Sequence, residues 1–190
     1  MRKICFALAA LLVSSTAQAD GELDKILSQF DKDRLAKFDK TRSEALSEGL
    51  RGAPADVEIL TGALDGKPMP MDSGFDMTGT WKCRVIKVGG LLPLTPYGWF
   101  KCRVTDDGCG WSLEKISGSQ RLTGRFFTES ETRLVFVGAG HVNNDPARKY
   151  GSDPKEDQVA VVTRLGNNKI VLEFPAPQYE SKLDILLMER

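Results

Sequence analysis

The sequence predicts an α+β protein in which a helical segment precedes an eight-stranded antiparallel β-barrel. Three observations support this fold class. Apolar residues recur at helical spacing over residues 20–64. Short β-rich runs separated by turn residues fill residues 79–190, at the interval that is typical of barrels and sandwiches. Nearly the same five residues also occur twice, as WKCRV at 81–85 and FKCRV at 100–104, which suits two neighbouring strands.

The first 19 residues have the pattern of a secretory signal peptide. Arg2 and Lys3 give a positive start, residues 4–13 form an apolar run, and the small residues Ala17 and Ala19 mark a cleavage site. We therefore expect cleavage after Ala19 and export to the periplasm. No apolar run reaches the ~20 residues that a membrane helix needs, so the sequence predicts a protein that does not span the membrane.

Residues 20–64 are predicted to be helical, and residues 65–78 are predicted to form a linker. Leu23, Ile26 and Leu27 begin a periodic apolar pattern with charged residues between them. A proline later in the segment marks the start of a shorter helix. Prolines and glycines after the segment end the helical pattern.

The β-rich part, residues 79–190, is predicted to close into a barrel, because closure leaves no exposed strand edge. The eight candidate strands occupy residues 80–88, 97–105, 109–117, 120–127, 132–137, 158–165, 169–174 and 182–188. One connection, residues 138–157, is much longer than the others, which is typical of functional or disordered loops. An outer-membrane barrel is the alternative, although charged residues on the strands disfavour it, since charge that faces lipid is costly.

The doubled motif predicts two adjacent strands with Cys83 opposite Cys102. In this register the apolar residues of both copies share one face of the sheet, because side chains alternate along a strand. Opposite cysteines on that face lie within bridging distance, so the sequence predicts a Cys83–Cys102 disulfide. Residues 107–108 are typical of a two-residue hairpin that pairs Asp106 with Cys109. Cys109 is then too far from Cys102 for a bond and is predicted to be an unpaired thiol.

The opposite face of the same two strands is basic. We call it the basic face, and it consists of Lys82, Arg84, Lys101 and Arg103. Like charges opposite one another destabilise a sheet, so either acidic residues from elsewhere cover this face or it contacts an anionic partner. Helix residues that could supply the acidic cover are Asp31, Asp33 and Glu44.

Composition and motifs argue against several classes of function. Basic and acidic residues number 26 each, and removal of Arg2 and Lys3 with the signal peptide leaves two more acidic than basic residues, so we predict no nucleic-acid partner. The sequence has no nucleophile elbow, phosphate-binding glycine loop, HExxH or CxxC. The cysteines and His141 lack the paired spacing of structural zinc sites, and the acids of the long loop lack calcium-loop spacing. We therefore predict no metal and no cofactor.

The long loop supplies the candidate ligand-binding residues. These are His141, Asn143, Arg148, Tyr150 and Asp153, polar and aromatic groups of the kind that binding loops use. If the barrel is open at that end, the loop lies at its mouth, where small barrels hold ligands; a solvated loop without a ligand is the alternative. Residues 178–181, just before the last strand, are a second candidate, with a simple strand start as the alternative.

Most of the chain after residue 35 resembles a family of exported bacterial proteins known as domain of unknown function 4893. The segments that carry the resemblance are CRVIKVGG (83–90), YGWFKCRV (97–104), KISGSQRLTGR (115–125), RLVFVG (133–138), YGSDPKEDQVAVVTRLG (150–166) and PAPQYESKLDILLM (175–188). The resemblance implies export and supports the disulfide, and it brings no assigned activity. In addition, Gly79-Thr80-Trp81 is similar to the G-x-W opening of lipocalin-like, calycin-type barrels.

These observations favour a non-enzymatic binding module for a small envelope ligand or an envelope protein. A binding cavity would then be expected among inward apolar side chains, namely those of Trp81, Val85, Phe100 and Leu113. Two alternatives remain: an inhibitor of an envelope enzyme, and a small hydrolase or transferase that uses His141 with Asp153. The last requires these two side chains within hydrogen-bonding distance.

Overall fold

The computed structural model describes residues 19–71, 74–143 and 145–190 of the chain. All of the predicted signal peptide except Ala19 lies outside these residues, as does Asn144 of the predicted long loop. Four helices precede eight strands that close into one antiparallel barrel. The predicted fold class is therefore confirmed.

The helical segment consists of four short helices on the outside of the barrel. They are α1 (Ala19–Ile26), α2 (Gln29–Ala36), α3 (Phe38–Gly49) and α4 (Pro54–Leu64). The Ser28 hydroxyl caps α2 by accepting a hydrogen bond from the backbone N–H of Asp31 at 3.2 Å. Pro54 occupies the first turn of α4, where its missing N–H leaves no helical bond unmade. None of the described helices is long and apolar enough to cross a membrane.

The eight strands follow the predicted order, and each pairs with the next while the last pairs with the first. They are β1 (Gly79–Val88), β2 (Leu94–Asp106), β3 (Trp111–Lys115), β4 (Gln120–Ser130), β5 (Arg133–Val142), β6 (Asp157–Gly166), β7 (Lys169–Pro175) and β8 (Leu183–Glu189). All pairs are antiparallel. Each connection therefore joins two adjacent strands, and successive connections lie at alternate ends of the barrel.

One end of the barrel interior is filled with large apolar side chains and closed by the chain between α4 and β1. Trp81 and Phe136 are fully buried there, and the Trp81 indole N–H donates to the Met77 carbonyl at 2.9 Å. The Arg164 guanidinium stacks 4.0 Å from the centre of the Phe75 ring and donates to the Pro70 carbonyl at 2.8 Å. Residues of the predicted linker therefore act as a plug for this end.

The helices cover the outer face of β1, β7 and β8. Leu60 and Ala45 pack there against Val88 and other outward-facing apolar side chains of these strands. The close approach of α3 depends on Gly49, because a Cβ at this position would lie 2.6 Å from the Val88 side chain. Helices α3 and α4 thus share an apolar cluster with the outer face of the barrel, separate from the cluster that fills its interior.

The predicted register of the doubled motif was wrong by two residues. Cys83 lies opposite Phe100 and Trp81 lies opposite Cys102, with a bulge at Val85 that the alternation pattern did not indicate. Because side chains repeat every two residues, a shift of two keeps each residue on its predicted face. The Cys83–Cys102 disulfide is present inside the barrel, with the two Cα atoms 6.0 Å apart.

The predicted two-residue hairpin after β2 was also wrong by two residues. Asp106 pairs with Trp111, which leaves a turn of residues 107–110. Asp106 accepts a hydrogen bond from the Gly108 N–H at 2.8 Å, and Asp107 accepts one from the Cys109 N–H at 3.0 Å. These side-chain bonds stabilise the wider turn. Cys109 is exposed and unpaired, as predicted.

The predicted long loop is shorter than expected. Strand β5 extends to Val142, so the loop comprises residues 143–156. Gly138 and Gly140, which were predicted to lie in the loop, both lie within the strand. The strands meet so closely there that a Cβ at Gly138 would lie 2.2 Å from the Thr123 carbonyl oxygen. Glycine therefore marks a close strand contact at this point and not a turn.

Loss of the disulfide should lower the stability of the barrel. The bond joins residues that are 19 apart in sequence and so reduces the conformational entropy of the unfolded chain. Replacing Cys83 and Cys102 together by Ser should therefore reduce the free energy of unfolding by about 3 kcal/mol. Urea titrations without reductant measure this change. Cys109→Ser is the matched control and should leave stability nearly unchanged. A Cys109→Ser variant that loses as much stability as the double variant would contradict the pairing.

Candidate ligand-binding site

The other end of the barrel is open and holds a cavity of about 390 Å³, which we call the cup. Its wall combines apolar Val85, Leu122, Phe174 and Leu186 with polar Lys87, Lys115, Gln120, Gln158 and Asp184. These residues come from six strands and reach the cavity because alternate side chains point inward. Smaller and polar side chains at this end leave the space that large apolar side chains fill at the other.

The predicted cavity lining was only partly correct. Val85 lines the cup, whereas Trp81 and Leu113 are buried in the filled core. Phe100 packs against that core and lies beneath Lys115. The filled half thus forms the floor of the cup.

Two connecting loops form the rim of the cup. The loop between β7 and β8 contributes residues 177–180, and the end of the loop between β5 and β6 contributes Lys155 and Glu156. Most of the second sequence candidate, residues 178–181, therefore lies at the mouth of the barrel. Tyr179 is exposed there.

On the β1–β8 side of the cup, acidic residues neutralise a lysine. The Lys87 ammonium lies 2.8 Å from the Glu180 carboxylate and 3.8 Å from that of Asp184. Burial is the largest single effect and opposes the charge, but the hydrogen bond to Glu180 and the negative charges of Asp184 and Glu180 together outweigh it and raise the pKa of Lys87. Burial raises the pKa of Asp184, which also accepts a hydrogen bond from the Ser181 hydroxyl.

On the β3–β4 side, Lys115 is buried without an acidic partner. It is 5% exposed, and its ammonium donates to the carbonyls of Ser117 at 2.9 Å and Gln120 at 2.6 Å. The Phe100 ring lies 4.0 Å below the ammonium. Burial, followed by the nearby charge of Arg121, lowers the pKa of Lys115 to about 8.

Gly118 closes the β3–β4 turn over this lysine. Its φ of +84° is unfavourable for other residues, and a Cβ there would lie 2.9 Å from the Lys115 nitrogen and 2.8 Å from the Phe100 ring. Glycine is therefore required for the turn to approach the ammonium. The Gly118 carbonyl also accepts a hydrogen bond from Arg121 Nε at 2.6 Å.

His141 lies in β5 and not in the loop, contrary to its predicted position. It is opposite Arg121 in the β4–β5 register, and both residues line the cup. The two ring nitrogens of His141 are buried and have no hydrogen-bond partner among the described residues. Hence His141 forms no hydrogen bond with Asp153, and the pair that an enzyme was expected to use is not assembled.

The remaining loop candidates have structural contacts outside the cup. Asp153 accepts a hydrogen bond from Arg148 at 3.0 Å, and the backbone N–H of Asn143 donates to the Ser119 carbonyl at 2.7 Å. The Tyr150 hydroxyl donates to the Asp31 carboxylate of α2. Burial and this bond raise the pKa of Tyr150. Arg148 and Tyr150 also line a second cavity, of about 620 Å³, on the outer face of β2–β5.

The loop and α2 meet at a buried ion pair. Asp31 and Arg34 are almost fully buried, with 2.7 Å between a carboxylate oxygen and a guanidinium nitrogen. Arg34 also donates to the Asp157 carbonyl at 3.0 Å. These charges are acceptable inside the protein because each is paired and hydrogen-bonded.

The basic face is covered differently from the prediction. Trp99, an outward residue of β2, lies 4.7 Å from the Lys82 ammonium and 4.5 Å from the Arg84 guanidinium, and Lys82 also pairs with Glu189 at 3.3 Å. The expected helix acids have other partners: Asp31 binds Arg34, Asp33 accepts from Gln29, and Glu44 pairs with Lys40. Lys101 and Arg103 remain exposed.

Sequence reasoning missed Lys115 and Arg121. Their segment carried the family resemblance, but its cations were not considered as a site. The available signal was alternation, since Lys115 has the same inward position as Leu113, and a lysine on the buried side of a strand is unusual. In the described part of the chain, no group of three or more His, Cys, Asp or Glu could hold a metal ion.

Comparison with known families agrees with the resemblance read from the sequence. The family described as "Domain of unknown function (DUF4893)" matches residues 24–188. The chain belongs to this family. No curated protein and no solved structure matches this DUF4893 protein. The match covers the cup residues together with α2, α3 and α4, so the whole arrangement described above lies within the family's domain.

The lowered pKa of Lys115 predicts an unusual pH dependence of stability. The folded protein releases this proton near pH 8, whereas the unfolded chain holds it to about pH 10.5, so the unfolded state binds more protons between these values. Stability should therefore rise with pH across this window relative to Lys115→Met, by an amount on the order of 3 kcal/mol. Urea titrations at several pH values measure the difference. Lys67→Met, an exposed control, should show none, and parallel curves for all three proteins would refute the prediction.

The buried pair predicts a large effect of a single isosteric change in α2. Asp31→Asn removes the carboxylate that pairs with the buried Arg34 guanidinium, which should lower the free energy of unfolding by about 3–5 kcal/mol. Asp33→Asn, on the exposed side of the same helix, should change it by less than about 0.5 kcal/mol. Thermal and urea unfolding of both variants compare the two sites, and equal small losses would contradict the role of the pair.

Proposed function

We propose that this protein is an exported, non-enzymatic binding module of the periplasm that holds a small ligand in the cup. The observation that carries the proposal is the division of the barrel interior into a filled half and an open half of about 390 Å³. This volume lies within the range of small-molecule sites. Apolar walls with a few convergent polar groups are also typical of such sites.

The chemistry of the chain supports an extracytoplasmic location. The Cys83–Cys102 disulfide lies inside the barrel, and disulfides persist in oxidising compartments such as the periplasm. The signal-like pattern of the first 19 residues supports the same location.

A second candidate function, inhibition of an envelope enzyme, draws support from the β1–β2 connection. Leu91 is 79% exposed and Leu92 is 58% exposed at its tip. Adjacent exposed leucines on a tight turn between two long strands are suited to insertion into an apolar groove of another protein. A pull-down from periplasm with the wild type and a Leu91→Asp, Leu92→Asp variant would separate this function from ligand binding.

The cup should bind a neutral apolar probe. N-phenylnaphthylamine, which fluoresces in apolar surroundings, should show saturable binding to the wild type. Leu122→Trp should weaken this binding at least about tenfold, because the larger side chain fills the cavity. Leu50→Trp, which adds the same side chain at an exposed position outside the cup, is the control. The proposal fails if the wild type does not bind the probe or if both variants bind it equally well.

A further inference from the structure

Lys115 has hydrogen-bonding capacity that the folded chain does not use. An ammonium carries three N–H donors, and two of these are taken by the carbonyls of Ser117 and Gln120. No carboxylate lies within 4.0 Å of the ammonium in the described part of the chain. The side chain nevertheless lines the cup, so one donor and a full positive charge remain for a bound molecule.

Arg121 adds a second positive charge at the rim of the cup, although its position in β4, between the inward Gln120 and Leu122, places it on the outer face of the strand. Its Nε is held by the Gly118 carbonyl, and none of the ion pairs among the described residues includes it. The two cations are close enough for Arg121 to disfavour the charge on Lys115. An anion bound at Lys115 would relieve this repulsion, and Arg121 would attract it electrostatically from the rim.

We propose that the ligand of the cup carries an anionic group, a carboxylate or a phosphate, and that Lys115 binds this group on the β3–β4 side, with Arg121 adding positive charge at the rim. The inference rests on the proposed function, since it names the chemistry of the same ligand. The charge of Lys87, on the β1–β8 side, is already neutralised by Glu180 and Asp184. Lys155 and Glu156 of the rim carry one charge of each sign, so the remaining positive charge lies at Lys115 and, at the rim, Arg121. The apolar wall at Leu122, Phe174 and Leu186 would contact an apolar part of the ligand, which makes the ligand an amphiphile.

The geometry favours an anion over a carbonyl compound that would form an imine with Lys115. Two carbonyl oxygens and an aromatic ring surround the nitrogen, and all three stabilise the protonated ammonium. Imine formation needs the free amine, and although the lowered pKa leaves a minority of Lys115 neutral at pH 7, the Ser117 and Gln120 carbonyls hold the nitrogen as a hydrogen-bond donor. The site therefore binds through charge and hydrogen bonds and leaves the ligand unchanged.

Two probes that differ by one anionic group test the proposal. Anilinonaphthalene sulfonate has the same ring system as N-phenylnaphthylamine and adds a sulfonate. Wild type should bind the sulfonate more tightly than the neutral probe, and Lys115→Met should weaken sulfonate binding about 10- to 100-fold, the usual effect of losing a hydrogen bond to a charged group. The affinity for the neutral probe should change less than about twofold. Arg121→Gln should act in the same direction.

Lys67→Met is the control for net charge, because Lys67 is exposed and lies beyond the closed end of the barrel. It should leave both affinities unchanged. Competition by decanoate and decyl phosphate, with decanol for comparison, shows whether carboxylate or phosphate is preferred. Equal displacement by decanol, or equal losses for both probes in Lys115→Met, would overturn the anion site while leaving the binding function intact. Failure of both probes to bind the wild type would overturn the binding function itself.

Discussion

The closed barrel imposes one constraint on which the rest of the structure depends, namely that each side chain of a strand faces either the interior or the outside. A strand cannot rotate to exchange its faces once both of its neighbours are paired. The constraint places Cys83 and Cys102 inside the core and Lys82 and Lys101 outside it. It also turns the outer faces of β1, β7 and β8 into the surface on which the helices pack.

The same constraint explains why Lys115 is buried. Its position in β3 follows Trp111 and Leu113 by alternation, so the strand directs it inward. A buried ammonium would be costly without partners, and the chain supplies two carbonyls and the Phe100 ring. These contacts stabilise the charge only in part. The lowered pKa shows that burial still makes the ammonium less favourable than it is in water. A buried lysine with a shifted pKa in the wall of a cavity is a candidate functional residue.

Alternation and turn chemistry predicted the strands, the faces and the disulfide, because these depend on a pattern with a period of two. The pattern cannot distinguish registers that differ by two residues, and both register errors were of this size. The observed β2–β3 register depends on the Asp106 and Asp107 turn bonds, whereas the bulge at Val85 shifts the β1–β2 register by one residue and not by two. The cup was harder to predict, because its residues come from strands far apart in sequence and meet only when the barrel closes. Polar composition pointed to the long loop, yet Tyr150 and Arg148 use their polar groups to hold the loop in place.

The helical segment also influences the shape of the cup. The buried Arg34 of α2 donates to the carbonyl of Asp157, where the β5–β6 loop ends, and to that of Ala176, where the β7–β8 loop begins. These are the two loops that form the rim. A guanidinium is planar and fixed in its donor directions, so it sets the positions of two loops that have no strand pairing of their own. The helix therefore sets the geometry of the rim of the cup as well as packing against the barrel, and the barrel and the helical segment form one structural unit.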